Sequence, residues 1–245
     1  MPIIYLSPST QDQNYYVIGG TEEYYMNQLA DAMIPYLLSN GIQYVRNTPE
    51  MTAASSIRQA NEGWYDFYLA LHSNAAGEGN YGNVRGVIAF YYPGSVNGHR
   101  AANIFVKNLK EIYPLPDLVR TQATTTLGEV ARSRAPAVLI EIAYHDNEQD
   151  ALWITSQITA IAQNLVRSLT EYFGLPFIWP MEPADGTVAV GSGTLNLRVR
   201  PEKDARVLAS MPNGASVRVY GQWQGWYVVY YGDVVGYAVS EFIHI

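Results

Sequence analysis

Residues 136–144 read PAVLIEIAY, an apolar run interrupted only by Glu141. A strand this apolar has to be buried on both faces, which is typical of a parallel sheet covered by helices on each side. Shorter strand-like runs precede it along the chain, at residues 3–6, 42–46, 67–71 and 86–92. A helical pattern follows each of these runs except the one at residues 67–71. The order therefore predicts an α/β domain of three layers with a mostly parallel sheet.

The helices between the strands are marked by their ends. Thr21 is a predicted N-cap, and Glu22 and Glu23 follow in the first turn, where carboxylates suit the helix dipole. Gly41 ends this first helix, and Pro35 inside it should cause a kink. Further helices are predicted at residues 52–63, 100–112 and 149–172.

A stretch rich in Pro and Gly divides the chain. It follows the last predicted helix and precedes a series of short strands punctuated by Gly and Pro. We expect a first domain at residues 1–175, a linker at 176–186 and a small all-β barrel at 187–245. The predicted strands of the barrel lie at residues 195–198, 207–209, 216–220, 226–231 and 236–239.

Charge and composition exclude several classes of protein. The chain has 15 basic and 22 acidic residues, a formal net charge of −7, and no basic run. Nucleic-acid binding needs clustered Lys and Arg, so we expect no nucleic-acid partner. No apolar run reaches the roughly 18–20 residues of a membrane span, and residues 1–6 lack the features of a signal peptide. Cys is absent, which excludes disulfides and thiolate zinc sites.

Two of the four histidines end predicted strands. His72 follows the run at 67–71, and His145 follows the run at 136–144. Sheets of this kind place ligands beyond the carboxyl ends of their strands, so both rings are candidates for one shared site. A lone histidine at a strand end is usually structural, but two in one sheet make a metal site an equal alternative.

Carboxylates accompany these histidines. Alternation along a strand puts Glu141 and His145 on one side if the extended shape persists to His145. Glu22 adds a carboxylate from the first helix. Histidine and carboxylate ligands with an open position are typical of hydrolytic zinc centres, often with a separate Glu as general base. On spacing alone, a salt bridge explains Glu22 equally well.

Three segments carry a family resemblance in their order and spacing. They are Glu22 at the start of the first helix, ALHSNA at residues 70–75 and APAVLIE at residues 135–141. The last two are similar to the motifs S-[LI]-H-x-N-[AS] and P-A-[VIL]-L-[VI]-E. With these segments, residues 1–175 resemble the zinc-dependent N-acetylmuramoyl-L-alanine amidases of the cell-wall hydrolase type.

The chain departs from this family at the end of the first strand. The family has D-P-G-H-G there, with a zinc-ligating histidine, whereas this sequence has SPSTQ at residues 7–11. A clostridial and phage-like branch with S-P-S-N-Q, N-T-N-E and F-H-D-N is more similar, matching residues 7–11, 19–22 and 144–147.

The resemblance also implies roles for single residues. Glu22 and His72 match two zinc ligands, and Glu141 matches the catalytic glutamate. His145 matches no ligand of the main family, and we infer that it replaces the missing histidine in a zinc site with one water. Glu23 is the alternative to Glu22, because helix register is uncertain from sequence. Candidates for substrate contact are Asn74, Arg132 and Arg134.

The second part of the chain resembles a bacterial SH3-like domain. The matching motifs are LNLRVRP, MPNGASV, QGWYVV and GYAVS, which begin at residues 195, 211, 224 and 236. This resemblance implies attachment to peptidoglycan, often through its peptide bridges.

Together the two resemblances imply a zinc-dependent peptidoglycan hydrolase directed to the wall by its second domain. It would cleave the amide between N-acetylmuramic acid and the L-alanine of the stem peptide. We expect it to act at the cell wall after export or phage lysis, as an autolysin or an endolysin. Two alternatives stay open: a zinc-poor pseudo-enzyme that binds the wall without cutting it, and a zinc peptidase acting on a stem-peptide bond. The oligomeric state is not indicated.

Overall fold

The computed structural model describes all 245 residues. Contacts divide the chain into two compact units. The N-terminal unit contains Ile3–Met33 and Tyr44–Tyr172, and the C-terminal unit contains Met1–Pro2, Ile34–Gln43 and Phe173–Ile245. No helix in either unit has both the length and the apolar character that a bilayer span requires.

A six-stranded sheet forms the centre of the first unit. Its strands are β1 (Ile3–Pro8), β2 (Gln43–Arg46), β3 (Phe67–Asn74), β4 (Val87–Tyr91), β5 (Val119–Ala123) and β6 (Ala137–Tyr144), in the order β2-β1-β3-β6-β4-β5. β1, β3 and β6 are parallel, and β4 runs antiparallel to β6 and parallel to β5. The mostly parallel sheet expected from the apolar runs is confirmed. β5 was not expected, because its sequence VRTQA is polar and lies at the sheet edge.

Helices cover both faces of this sheet. They are α1 (Glu22–Ser39), α2 (Ala53–Glu62), α3 (Val96–Leu109), α4 (Gly128–Ala131), α5 (Glu148–Ser156) and α6 (Ile158–Phe173). Phe67 packs against Phe105 of α3 and Tyr172 of α6. The next residue, Tyr68, belongs to a core cluster with residues of α2 and α4. Successive side chains of one strand thus enter different layers, and the three-layer architecture is confirmed.

The last two helices differ from the single helix expected at 149–172. The chain leaves helical geometry at Gln157, so α5 and α6 are separate. Asn147 caps α5 by accepting a hydrogen bond from the backbone N–H of Asp150. The cap fixes the chain directly after β6, which is where the sequence placed His145.

The C-terminal unit contains a seven-stranded sheet. Its strands are β7 (Ala184–Val188), β8 (Thr194–Arg198), β9 (Val207–Pro212), β10 (Ser216–Trp223), β11 (Trp226–Tyr231), β12 (Val234–Val239) and β13 (Ile243–His244). All its registered pairs are antiparallel. β10 and β11 are joined by Gln224 and Gly225, both with positive φ, as a two-residue hairpin turn of this hand requires. The small all-β region is confirmed.

The stretch predicted as a linker, 176–186, is partly built into the second unit. Ile178 is buried in a cluster with Trp226, Val228 and Tyr237. Its backbone N–H donates to Asn40 Oδ1 at 2.6 Å, and Asn40 Nδ2 donates to its carbonyl at 2.9 Å. Burial of an apolar side chain thus holds part of the segment that its Pro and Gly content marked as a linker. β7 also begins two residues before the end of the predicted linker.

Candidate active site

The parallel strands β3 and β6 bring two site residues side by side. His72 pairs in register with Glu141, and alternation turns both side chains toward the layer that contains α2 and α4. Glu22 arrives from the first turn of α1, and Glu129 arrives from the short helix α4. One imidazole and three carboxylates therefore meet at the carboxyl ends of the central strands.

His72 lies between two carboxylates. Its Nδ1 is 2.8 Å from Oε1 of Glu22, and its Nε2 is 2.8 Å from Oε2 of Glu129. All three side chains are buried. The contact between Glu22 and His72 thus has the geometry of the salt bridge that the sequence left open for Glu22.

Additional hydrogen bonds fix each carboxylate. Asn14 Nδ2 donates to Oε2 of Glu22 at 2.6 Å. The hydroxyls of Ser7 and Tyr68 donate to Oε1 of Glu129 at 2.6 and 2.7 Å. Both oxygens of each carboxylate therefore have a hydrogen-bond partner. A buried charge needs such partners, because it has lost its contacts with water.

The mutual pairing sets the protonation states of these groups. Burial alone would lower the pKa of His72, but the hydrogen bonds from its ring to Glu129 and Glu22 raise that pKa well above its ordinary value. Burial would also raise the pKa of Glu22 and of Glu129, yet the hydrogen bond with His72 lowers both. These directions favour a positively charged His72 ring between two negatively charged carboxylates.

Glu141 differs from these two carboxylates. Its Oε2 is buried and has no hydrogen-bond partner in the protein. Burial raises its pKa to about 7, the positive charge on His72 opposes this rise, and the negative charges of Glu22 and Glu129 add to it. A carboxyl group with a pKa near neutrality can both accept and donate a proton at physiological pH.

Glu141 opens onto a cleft of about 460 Å³. The cleft walls come from the ends of the central strands, the loop after β1, and α2 and α4. The lining residues are Ser7, Pro8, Ser9, Thr10, Gln11, Asn47, Met51, Thr52, Ala53, Ser56, His72, Leu127, Gly128, Glu129, Leu139 and Glu141. His72, Glu129 and Glu141 thus face a space large enough for part of a substrate.

His145 is not brought to this cleft. Its Nδ1 lies 2.9 Å from the carbonyl oxygen of Ser73 and 3.0 Å from the Ser73 hydroxyl, and its ring stacks on Tyr16. The reason lies in β6: Ala143 has a φ of 57°, so the alternation that would align Glu141 with His145 is broken. The condition that the strand stays extended to His145 is not met, and we do not retain His145 as a ligand.

The other predicted residues also lie outside the cleft lining. Glu23 accepts a hydrogen bond from Asn27 of its own helix, which leaves Glu22 as the residue at the site. Asn74 Oδ1 accepts from the backbone N–H of Ala75. Arg134 donates to the backbone carbonyl of Asn61, and the carbonyl of Arg132 accepts from the Asn61 side chain. Each of these residues is thus hydrogen-bonded to a residue that does not line the cleft.

The donors present fit zinc only in part. Oε1 of Glu22 and Nδ1 of His72 face each other at 2.8 Å. Carboxylate oxygen and imidazole nitrogen are both common zinc ligands. Gln11, from the loop where the family motif has its histidine, has its Nε2 3.4 Å from the same ring nitrogen. No three His, Asp or Glu side chains are arranged to hold a metal ion. The site therefore presents two donor side chains of the kinds that zinc binds, one fewer than the three protein ligands usual in catalytic zinc centres.

Sequence reasoning missed Glu129. It is the only acidic residue between Asp117 and Glu141, but no strand, helix cap or repeated spacing distinguishes it. Its role depends on α4, a single turn that lacks a side-chain cap. Only the folded chain shows that this turn faces His72.

The sequence of the first unit matches a known family. Residues 9–171 match the N-acetylmuramoyl-L-alanine amidase family. The chain belongs to this family of amidases. Residues 193–244 match the bacterial SH3 domain. A search among curated protein sequences found no match.

Solved structures of similar fold agree with this assignment. The amidase AmiC2 of Nostoc punctiforme is 15% identical with a TM-score of 0.62, and the alignment covers 71% of this chain and 97% of that one. The catalytic domain of the amidase CwlV from Bacillus (Paenibacillus) polymyxa is 15% identical, with a TM-score of 0.62 and coverages of 72% and 100%. The catalytic domain of the CD27L endolysin, which targets Clostridia difficile, is 19% identical, with a TM-score of 0.58 and coverages of 70% and 98%. At these identities the likeness concerns the amidase fold.

Proposed function

We propose that this amidase hydrolyses the bond between the lactyl group of N-acetylmuramic acid and the L-alanine of the stem peptide. The observation that carries the proposal is Glu141, a carboxyl group with an unpartnered oxygen and a raised pKa beside His72 in the cleft. Amide hydrolysis needs a group that takes a proton from water and delivers it to the leaving amine. Glu141 is the residue suited to both steps.

We further propose that zinc binds between Glu22 and His72. When bound, zinc supplies Lewis-acid polarisation of the scissile carbonyl. Asn14 holds the Glu22 carboxylate, and Glu129 holds the far side of the His72 ring. Glu141 accepts the proton of the attacking water and passes it to the nitrogen of L-alanine as the C–N bond breaks.

The test is digestion of purified peptidoglycan followed by mass spectrometry of the soluble products. The expected product is a stem peptide with a free amino terminus on L-alanine, together with an intact lactyl carboxylate on the sugar. Glu141→Gln serves as the matched control and should release little. New amino termini inside the stem peptide would instead indicate a peptidase and contradict the proposed bond.

One observation favours a second function. No three His, Asp or Glu side chains are arranged to hold a metal ion, which is the condition expected of a pseudo-enzyme that binds the wall without cutting it. Atomic absorption of the purified protein with and without added zinc separates the two. A chain that sediments with insoluble wall, holds no zinc and releases no product is the pseudo-enzyme.

The C-terminal unit is proposed to attach the enzyme to peptidoglycan, where the substrate is reached by export or by phage lysis. Its match to the bacterial SH3 domain supports this role. Attachment would raise the local concentration of enzyme on the wall and leave the bond-breaking step unchanged. A fragment of residues 173–245, which keeps Ile178 with its cluster, should co-sediment with purified wall. A fragment that stays in the supernatant would contradict the anchoring role.

A further inference from the structure

A second pocket lies at the same edge of the sheet as the cleft. It has a volume of about 500 Å³ and is enclosed by the loop after β1, the loop after β3 and the residues that follow β6. The amide hydrolysis proposed above gives this pocket no part. Because ligands of such sheets bind beyond the carboxyl ends of the strands, the pocket is placed to receive part of a substrate held in the cleft.

The loop after β1 separates this pocket from the cleft. Gln11 of the loop lines the cleft, and Asn14 lines the pocket. Asn14 Nδ2 donates to Gln11 Oε1 at 3.1 Å, so the two spaces are one side-chain contact apart. Asp146, in the pocket, is five residues after Glu141, so their Cα atoms are at most about 18 Å apart. Three peptide residues span roughly 10 Å, and a long side chain extends this reach into the pocket.

Both walls of the pocket are fixed to the residues that follow β6. Val17 donates its backbone N–H to the carbonyl of His145 at 3.0 Å, which holds the loop after β1. The Asp146 carboxylate accepts from the backbone N–H groups of Ala76 and Gly82 at 3.1 to 3.2 Å, which holds the loop after β3. A pocket whose walls are fixed in advance binds a ligand at a smaller cost in ordering.

The lining of the pocket combines aromatic rings with one negative charge. Tyr15 and Tyr81 are 70% and 65% exposed, so both side chains are open to a ligand. Asp146 is the only acidic residue in the lining, and the lining contains no Lys or Arg. A carboxylate oxygen has more than one acceptor position, so Asp146 can hold the loop and also accept from an ammonium group. This combination suits an organic cation.

We propose that the pocket binds the side-chain ammonium group of the third residue of the stem peptide. Asp146 is the charged partner, and Tyr15 and Tyr81 are the aromatic walls. The inference rests on the proposed function, which makes the stem peptide the ligand. Cross-linking of peptidoglycan through that amine converts it into an uncharged amide. The pocket therefore makes the protein selective for stem peptides whose amine is free.

The test is calorimetric binding of two soluble ligands to the full-length Glu141→Gln variant, which prevents turnover. One ligand is N-acetylmuramoyl tripeptide with a C-terminal lysine amide, and the other is the same compound acetylated on the lysine amine. The free amine should bind roughly five-fold more tightly, the upper range for a partly exposed ion pair. Acetylation changes only the ligand, so this comparison does not depend on the folding of a further variant.

Variants of the lining assign the effect to the pocket. In the Glu141→Gln background, Asp146→Asn should bind both ligands equally, because the charge is removed. Tyr15→Ala and Tyr81→Ala should each weaken binding of the free amine roughly two- to five-fold, the usual range for an exposed cation–π contact. Tyr81→Phe keeps the ring and should bind as its background does. Trp64→Ala is the matched control, because Trp64 is 88% exposed but precedes β3, at the opposite edge of the sheet.

Two results would overturn the pocket as an ammonium subsite. One is equal affinity for the two ligands, or no binding of either. The other is a preference for the free amine that persists in Asp146→Asn at an unchanged thermal midpoint. The digestion products of the wild type decide the proposed function separately. Cleavage at the lactyl amide without a preference for the free amine removes only the subsite, whereas a preference without cleavage supports the subsite and contradicts the hydrolysis.

Discussion

The ends of β3 and β6 differ although both carry a buried histidine. At the end of β3, His72 lies between the carboxylates of Glu22 and Glu129. At the end of β6, His145 is held by the carbonyl and hydroxyl of Ser73, and both partners are uncharged. The neighbouring strands thus provide one histidine that lies between two carboxylates at a cleft and one histidine that contacts uncharged groups. The chemistry of a histidine at a strand end is set by the groups around its two ring nitrogens. Its position at the strand end does not set it.

The strongest test of this difference is to remove each ring in turn. His72→Ala should abolish zinc binding, because it deletes one of the two proposed ligands. His145→Ala should keep zinc occupancy and lose only some stability, since its ring contacts Ser73 and Tyr16. Atomic absorption after dialysis measures both. Loss of zinc in His145→Ala at an unchanged thermal midpoint would make His145 a ligand. The proposed difference between the two histidines would then be wrong.

Glu141 tests the chemistry on the His72 side. Glu141→Gln should lower turnover roughly 10²–10⁴-fold, the usual contribution of a general base. Zinc should be retained, since Glu141 is not one of the two proposed ligands. The measurement is product release from soluble muropeptides, together with the zinc content of the same sample. Joint loss of zinc and turnover would make Glu141 a ligand.

The raised pKa of Glu141 also predicts a pH dependence of stability in the zinc-free protein. The carboxyl has a pKa of about 7 when folded and an ordinary value of 4.5. Between these values the folded chain binds more protons than the unfolded chain, so the free energy of unfolding falls as the pH rises from about 4.5 to about 7. Glu141→Gln lacks this loss and should become more stable than wild type by about 3 kcal/mol above pH 7, since one pKa unit corresponds to about 1.4 kcal/mol.

Urea unfolding at a series of pH values measures this difference. Subtraction of the two curves cancels the ionisable groups that do not interact with Glu141, and it leaves Glu141 together with its coupling to His72, Glu22 and Glu129. The two curves should converge at about pH 4, where the carboxyl is protonated in both states. A constant offset between the curves from pH 4 to pH 8 would mean that Glu141 keeps an ordinary pKa.

The smallest expected effect concerns the surroundings of His145. Ser73→Ala removes the hydroxyl beside His145 Nδ1 and leaves the backbone carbonyl in place. The free energy of unfolding should fall by about 1 kcal/mol, the net value of one hydrogen bond. Zinc affinity and turnover should be unchanged. A large drop in either would show that the end of β6 takes part in the chemistry after all.

Sequence reasoning succeeded where a pattern is local. Apolar runs predicted the strands β3 and β6, because strands buried on both faces have to be apolar throughout. Short strands with turn residues predicted the all-β region. The polar strand β5 and the break at Gln157 were missed, since each is set by neighbours in space and leaves little trace in periodicity.

By itself, the sequence determined the α/β class, the family, and the presence of Glu22, His72 and Glu141 at the ends of elements that converge on one edge of a sheet. Parallel strands align their carboxyl ends, so that convergence follows from order along the chain. Only the tertiary structure decided which side chains complete the site. A positive φ at Ala143 turns the chain before His145, and a single helical turn brings Glu129 to His72. Both outcomes depend on one backbone angle and one long-range contact, and neither has a periodic signature in the sequence.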